Sequence, residues 1–540
     1  LRAAIEARKS GARVLLVSRP RVGYGSNTVI SQSMLAVAMG RKEAEDSSEV
    51  HFEDTIVAGR FLSDQRLVKT LVEEAEKEVC QLEKFGVDFK KRDGSFRVVH
   101  APGHTYPRHI SGARRSFGID LIEPLQQYAL RAGVRFEPGV LVTRLLKRDG
   151  EVVGATGFTD RGELLVFQAA AVILATGGAS GIFLRTDNVA GSTGDGYALA
   201  YEAGATLRDM EFTQFYPTAL GEYGVRIWWY ELFLPRGAVL RNSLGENVLE
   251  KQGLNDALAM TRDKLTRLVM NEILDGRGIN GALLADLSPM GEERLEQMRP
   301  YLGAQRVSRQ IRVAPTAHYF MGGIEINEEC ETGVPGLYAA GEVTGGIHGA
   351  NRLAGNALTD IFVFGAIAGK NAANRAPVGR KVSPAPDGVN TEIERLQRIY
   401  CNRGRETAKE LQQLLRNLMW YRAGIVRNKK DLQQALGELQ SLQQRLRVVK
   451  AENYRELMAA VKLGNMILVS EMVCRAALAR KESRGSHFRT DYPEENNIEW
   501  LQRIIISRQD DKMDLSIAPV DLPHIKPPES PCIHMGTPGH

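Results

Sequence analysis

The chain has 540 residues, 43% hydrophobic and 25% charged, with 70 basic against 65 acidic residues for a formal charge of +5. That length suggests roughly three or four structural units at about 150 residues each, and the composition excludes a disordered chain, a collagen-like repeat and a small disulfide scaffold. The charge excess is small and its signs are interleaved, which gives no reason to expect a nucleic-acid surface. Five scattered cysteines (Cys80, Cys330, Cys401, Cys474, Cys532) include no C-x-x-C. Neither a zinc site nor an iron–sulfur cluster is therefore expected on this chain, and free thiols in a reducing compartment fit the pattern. No apolar run approaches the ~20 residues that span a bilayer, so membrane contact is expected only through a partner. The 53 glycines, about a tenth of the chain, exceed the usual ~7% and need a cause.

Residues 1–13, LRAAIEARKSGAR, read as a helix with Leu1, Ala4, Ile5 and Ala7 on one face and Gly11 as a stop signal. Val14–Val17 follows as a short apolar strand. A helix feeding a buried parallel strand is the second half of a βαβ unit, so the first strand and its G-x-G-x-x-G turn are expected upstream of Leu1. Three later stretches repeat the theme. AAAVILATGG (169–178) is a strand running into Gly177 and Gly178, and VPGLYAAGE is a strand ending at Gly341 and Glu342. GGIHGANRLAGNALTDIFVFGAIAG (345–369) is a glycine-rich loop feeding an apolar helix. Glycines at strand ends let backbone approach a pyrophosphate, and the next helix N-terminus offers amide N–H groups. Repeated over more than 300 residues, the pattern predicts one large dinucleotide held by a discontinuous domain.

Several stretches then carry a resemblance: VLLVSRPRVGYGSNTVISQSMLA, ILATGG, DMEFTQFYPTAL, PTAHYFMGGIE, LYAAGEVTGGIHGANRLAGNALTD and ARKESRGSHFRTDYPE. In this order, from residue 1 to about 510, the chain resembles the flavoprotein subunit of the succinate dehydrogenase/fumarate reductase family, within the L-aspartate oxidase superfamily. HGANRL and ARKESRG are the most specific of these motifs. The resemblance implies an α/β fold: a Rossmann-like FAD-binding domain, an inserted α+β capping domain and a C-terminal helical bundle. It also implies FAD, with cofactor-binding residues at Ser18, Arg19, Ser26, Asn27, Thr28, Ala175, Thr176, Gly177, Gly341, Glu342, Asn351, Arg352, Asn356, Ala357 and Leu358. Glu342 falls at the ribose-binding acid, and Asn356 and Ala357 fall where backbone amides meet the flavin ring. Membrane-bound relatives have S-H-T and attach FAD through that His; SNT here places Asn27 at the position, so non-covalent FAD is expected.

The family moves hydride between flavin and one carbon of an activated C–C bond, with proton transfer at the neighbouring carbon. The resemblance places Arg352 as the carboxylate clamp, His318 as a substrate-binding His, Arg262 as the proton donor or acceptor, and Arg236 in the relay segment. Arg262, beside Asp263 in LAMTRDKLTRLVMNEIL, reads without the resemblance as an exposed ion pair. His318 and His348 read without it as buried structural histidines. Three departures stand out. Tyr216 replaces a substrate-binding His, Ala357 stands where Ser is frequent, and Phe233 occupies the position of the relay acid, with Glu231 able to substitute only if the loop is locally re-registered. Trp228, Trp229 and Phe233 are either lid core or the wall of a site for a larger enoate with an aryl or alkyl end.

The expected organisation is an FAD-binding domain (1–215) with a helical, loop-rich insertion at roughly 40–130. A lid (216–312), a return to the FAD-binding domain (313–378) and a Pro/Gly linker, APVGRKVSPAPDG (376–388), follow. A helical domain (390–510) is signalled by Leu432, Leu436, Leu439, Leu442 and Leu446 at helical spacing. The Pro-rich tail (511–540) is read as extended along a partner subunit, with His524, Cys532 and His534 too irregular for a metal site. The first functional reading is a cytoplasmic FAD-dependent oxidoreductase subunit, peripheral on the inner membrane face at most, that reduces or forms an activated C–C double bond in a small carboxylate. A separate iron–sulfur subunit or ferredoxin-like donor would supply its electrons. An L-aspartate oxidase-like enzyme and a flavin electron-transfer subunit without dicarboxylate activity remain open beside it.

Overall fold

A computed structural model describes residues 1–31, 34–39, 45–113, 117–224, 226–254, 260–302, 309–376, 386–402 and 404–528. Most of the linker 376–388 lies outside the described residues, as do Cys532 and His534. The first helix, Arg2–Lys9, buries Ala4, Ile5 and Ala7 and feeds the strand Leu15–Ser18. That strand pairs in parallel with Arg135–Pro138, and Val172–Leu174 pairs in parallel with Leu337–Ala339. The opening helix packs along Asn356–Arg375. Gly369 permits this approach, because a Cβ there would lie 2.3 Å from the carbonyl oxygen of Ala3. Helices Ser48–Ala58, Gln65–Lys84 and Phe117–Arg131 occupy the region between the first two strands.

The lid is built on one antiparallel sheet in the order Arg226–Ile227, Thr213–Leu220, Gln310–Phe320, Leu283–Asp286, Val239–Arg241. Thr213–Leu220 and Gln310–Phe320 are the two strands by which the chain enters and leaves it. Trp228 stacks on Phe233 at 4.8 Å and 15°, and both are buried. They are core of the lid.

Helices Ala408–Arg422, Lys429–Leu446 and Tyr454–Ala479 pack together, with Leu432, Leu439 and Leu442 buried and Leu436 and Leu446 packed partly buried against the same core. Tyr454–Ala479 is long and apolar enough by length and composition to cross a membrane, which the run-length reading did not register; in the structure most of its apolar window is buried among these helices. Residues 512–519, placed by the sequence in an extended tail, pair instead as a hairpin strand with Gln502–Gln509 and extend the sheet of Gly323–Ile324 and Leu207–Arg208. The described residues after it, 520–528, include a contact with the same chain. The Gln65 side chain accepts from the amides of His524 and Ile525 and donates to the Ile525 carbonyl at 2.6 Å.

The ARKESRG segment folds into a fully buried charge network. Arg480 donates to Glu211 at 2.6 Å and to Glu482 at 3.0 Å, and Arg484 reaches both Glu482 oxygens at 2.8 and 2.9 Å. All four side chains have no solvent exposure. Removing one member strands charge in a dry interior. Glu482→Ala is expected to cost about 3–5 kcal/mol of stability, measured by urea unfolding, with Glu482→Gln costing less.

Candidate active site

A cavity of about 280 Å³ opens where the turn Ser26–Thr28, the start of Asn356–Arg375 and the lid strand Gln310–Phe320 converge. Asn27, Thr28, His318, Glu342, Arg352 and Ala357 lie on its wall. Leu358 lines it too. These expected residues are brought together from positions more than 300 apart in sequence.

Arg352 is buried, donates to Gln214 Oε1 at 2.9 Å and to the Leu353 carbonyl at 3.2 Å, and keeps an unpartnered Nε–H. Burial, and then the charge of Arg262, push its guanidinium down to about 10. His318 Nδ1 meets Asp187 Oδ2 at 2.7 Å. Glu342 accepts from the Phe320 amide at 3.1 Å and from Asn27 at 3.4 Å, and burial pushes its carboxyl up to about 7. A buried acid on the wall beside an unsatisfied cationic N–H suits a polyhydroxylated, anionic ligand.

Arg262 opens the helix Arg262–Glu272, an electrostatically poor place for a cation. Its compensation is Glu231, whose Oε1 lies 3.1 Å from Nη2, while the other carboxylate oxygen accepts the Tyr216 hydroxyl. Burial works against the charge of Arg262, but Glu231, Tyr230 and Tyr216 outweigh it and hold the guanidinium firmly cationic. Burial and Glu231 together raise the Tyr216 phenol well above its ordinary value. The short helix Tyr230–Phe233 explains the altered register. Residues two apart on a helix face roughly 200° apart, so Phe233 enters the lid core while Glu231 turns to Arg262. Trp229, unlike Trp228, lines the cavity, as does Ile227.

Other expected residues stand elsewhere. Arg236 is exposed and donates to the Leu232 carbonyl at 2.8 Å, with no contact to Arg262 or Glu231. The following 3₁₀ turn carries it away from the cluster. Asn356 directs its side chain to His51 at 2.9 Å and Thr55 at 3.0 Å. Asn351 accepts from Gln214 at 2.8 Å, and Ser26 caps its own turn. Ala175 and Thr176 are exposed beyond Val172–Leu174, with Gly177 half-buried after them, and Arg19 is exposed just past Ser18. Gly341 is buried ahead of Glu342. His348 serves the interior, meeting Tyr319 at 3.1 Å and Asp360 at 3.4 Å.

The sequence reading missed a histidine clamp behind the cavity. His104 and His109 both hydrogen-bond the Ala354 carbonyl, at 2.9 and 3.1 Å, and His51 holds Asn356. Burial pushes these imidazoles down to about 2, 4 and 3 respectively, so all are neutral. Gly355, between the clamped residues, has φ +78°, and a Cβ there would meet His109 Nε2 at 2.6 Å. Nothing local marks these partners, since each contact spans hundreds of residues.

Residues 1–358 match the FAD binding domain family, and residues 412–531 match the fumarate reductase flavoprotein C-terminal family. The chain belongs to the fumarate reductase/succinate dehydrogenase flavoprotein family. It is 36% identical over 530 residues to a fumarate reductase (CoM/CoB) subunit of Methanothermobacter marburgensis, covering 94% of this chain and 95% of the relative. It is 31% identical to the Escherichia coli fumarate reductase flavoprotein subunit, over 95% of this chain and 90% of the relative. A structure of Mycobacterium smegmatis Sdh1 in complex with UQ1 superposes with a TM-score of 0.88 at 32% identity, over 97% of this chain and 93% of that one. This flavoprotein is thus an FAD-dependent oxidoreductase of the fumarate reductase/succinate dehydrogenase type, acting on CH–CH groups, with an FAD-binding unit, a lid and a helical C-terminal unit.

The raised Glu342 has a consequence for stability. Its unfolded carboxyl titrates near the ordinary 4.5, its folded one at about 7, so the folded state holds the extra proton between these values. The flavin-free protein should therefore lose stability as pH rises from about 4.5 to about 7, by on the order of 3 kcal/mol. Glu342→Gln should remove that loss, seen as a flatter pH dependence of the urea-unfolding free energy.

Proposed function

We propose that this flavoprotein reduces, or in reverse forms, the activated C–C double bond of a carboxylate substrate held between Arg352, His318 and Arg262. The Arg262–Glu231 contact carries this reading. A cation at a helix N-terminus, against the helix dipole and within the field of a second buried arginine, costs stability, and arrangements of this kind cluster at functional sites. FAD, when bound in the cavity, supplies the hydride chemistry. Arg352 offers its unpartnered Nε–H to the substrate carboxylate. Asp187 occupies Nδ1 of His318, which leaves Nε2 for the same substrate. Arg262 handles the proton at the neighbouring carbon, and Glu231, 3.1 Å away, is the group through which that proton is replaced. Tyr216 holds the far carboxylate oxygen.

Trp229 and Ile227 on the cavity wall support a substrate with an apolar end as the second reading beside a small dicarboxylate. We place FAD as non-covalently bound, because Asn27 lacks a nucleophilic ring nitrogen. We assign electron supply to a separate iron–sulfur subunit or a ferredoxin-like donor, because the relatives are named as subunits and the cysteines of this chain are scattered. We place the chain in the cytoplasm, at the inner membrane face through a partner, because its most apolar described helix is packed inside the protein.

A screen of fumarate, aspartate and aryl-acrylates, following reoxidation of reduced flavin, tests the substrate class; turnover of aspartate alone would overturn it. Arg262→Ala and Glu231→Gln should each lower kcat for the accepted enoate by about 10²–10⁴ with FAD content unchanged. Tyr216→Phe should lower it less. Acid precipitation of the purified holoprotein should leave all flavin in the supernatant.

A further inference from the structure

One wall of the cavity carries a continuous hydrogen-bonded strip. Asn27 Nδ2 donates to Asn188 Oδ1 at 2.7 Å. Asn188 Nδ2 donates to Asp187 Oδ1 and to the carbonyl oxygen of His318, both at 2.9 Å. Asp187 Oδ2 meets His318 Nδ1 at 2.7 Å. At its other end, Asn27 reaches Glu342 at 3.4 Å and accepts from the Val189 amide at 3.0 Å. Asn27, Asn188, Asp187, His318 and Glu342 all line the cavity.

The chemistry of each link is directional. A carboxylate accepts only, so the Nδ1–H tautomer of His318 is selected, and Nε2 is aimed by the ring geometry away from Asp187. Asn188 commits its amide N–H groups to Asp187 and to the His318 backbone, which fixes its Oδ1 toward Asn27. Asn27 has both ends of its amide engaged, so it cannot flip without breaking contacts at each. Thr28, its neighbour, is on the same wall. A ligand seated against the Ser26–Thr28 turn therefore stiffens the strip, and the strip ends on the imidazole that faces the substrate.

We propose that Asn27, Asn188 and Asp187 form a positioning bridge that couples the flavin-holding turn to the orientation of His318. Asp187 sets the imidazole, and Asn27 transmits the state of the flavin site. The bridge rests on the reading of His318 as a substrate-carboxylate ligand. It makes FAD affinity and substrate affinity depend on the same three residues, although they stand at 27 and at 187–188 in the sequence.

The test is a double-mutant cycle of Asn27→Ala and Asp187→Asn in the full chain, read as the FAD dissociation constant by flavin fluorescence. The bridge expects each single variant to weaken FAD binding, and the double variant to weaken it at least about threefold less than the product of the singles. In an Asn188→Ala background, which removes the middle link, the same cycle should become multiplicative. A cycle multiplicative to within about twofold in the native background overturns the bridge. The second readout is the shift of the visible flavin band on titrating the holoenzyme with malonate. Asp187→Asn should weaken malonate binding about tenfold or more with an unchanged melting temperature, and unaltered malonate binding in that variant also overturns the bridge. If the unsubstituted holoenzyme binds no malonate, the small-dicarboxylate reading of the site fails, while the FAD cycle still decides the bridge.

Discussion

Four fully buried charges, Glu211, Arg480, Glu482 and Arg484, form the junction on which the rest of the molecule rests. Glu211 precedes the strand by which the chain enters the lid, and Arg480 closes the longest helix of the C-terminal unit. Arg484 donates to the Arg60 carbonyl at 3.0 Å, and Ser486, two residues on, donates its amide to Ala350 at 3.0 Å. A charge taken out of water has to be matched in place, because its desolvation cost is recovered only at short range and good geometry. The network therefore works as a registration device. The start of the lid and the helical unit can shift relative to one another only by breaking contacts with buried ions, and the loop before Arg352 is tied to the same segment by the Ser486–Ala350 backbone bond.

The candidate cavity lies on the loop and lid strand that this junction adjoins. Arg352, from the glycine loop, is a buried cation on its wall, and the charge of Arg262, from the lid, lowers the Arg352 guanidinium further after burial has done so. Their local supports differ in kind. Arg352 is held by neutral acceptors, Gln214 and a carbonyl, and faces its ring neighbour Tyr319 at 4.7 Å. Arg262 is held by a carboxylate and stacks over Tyr216 at 5.1 Å. One guanidinium keeps an N–H without a partner, and the other is paired with a carboxylate. Behind the cavity, three neutral imidazoles brace Ala354 and Asn356, so the first turn of Asn356–Arg375 presents its backbone at a fixed height.

Much of this was legible in the residues. The strand-to-glycine junctions at Gly177 and Gly341, the loop around Arg352 and the helix after it follow from local pattern, because glycine, β-branched runs and apolar periodicity act within a few residues. The leucine spacing at 432–446 marked a helix packed on one face for the same reason. The motif ARKESRG could be seen but not understood: nothing in seven residues says that its charges are buried or that Glu211 is their partner. The lid was the least legible part. Counting back from Arg236 led to Phe233 as the relay position, whereas a short helix turned Glu231 to Arg262 and carried Arg236 to the surface.

The sequence by itself determined the family, the cofactor class and the mixed α/β architecture. The resemblance of ordered local motifs carried the family and FAD, and the strand–glycine–helix pattern carried a dinucleotide-binding α/β domain; neither depends on distant partners. Only the tertiary structure decided which acid serves Arg262, that Asp187 holds His318, that Asn356 looks away from the cavity, and that residues 512–519 return as a strand. The physical reason lies in the partners. The first three are contacts between groups 31, 131 and 305 residues apart, set by side-chain direction on packed elements, where a shift of two helical positions reverses the face a residue presents; the fourth is a backbone pairing with the neighbouring strand.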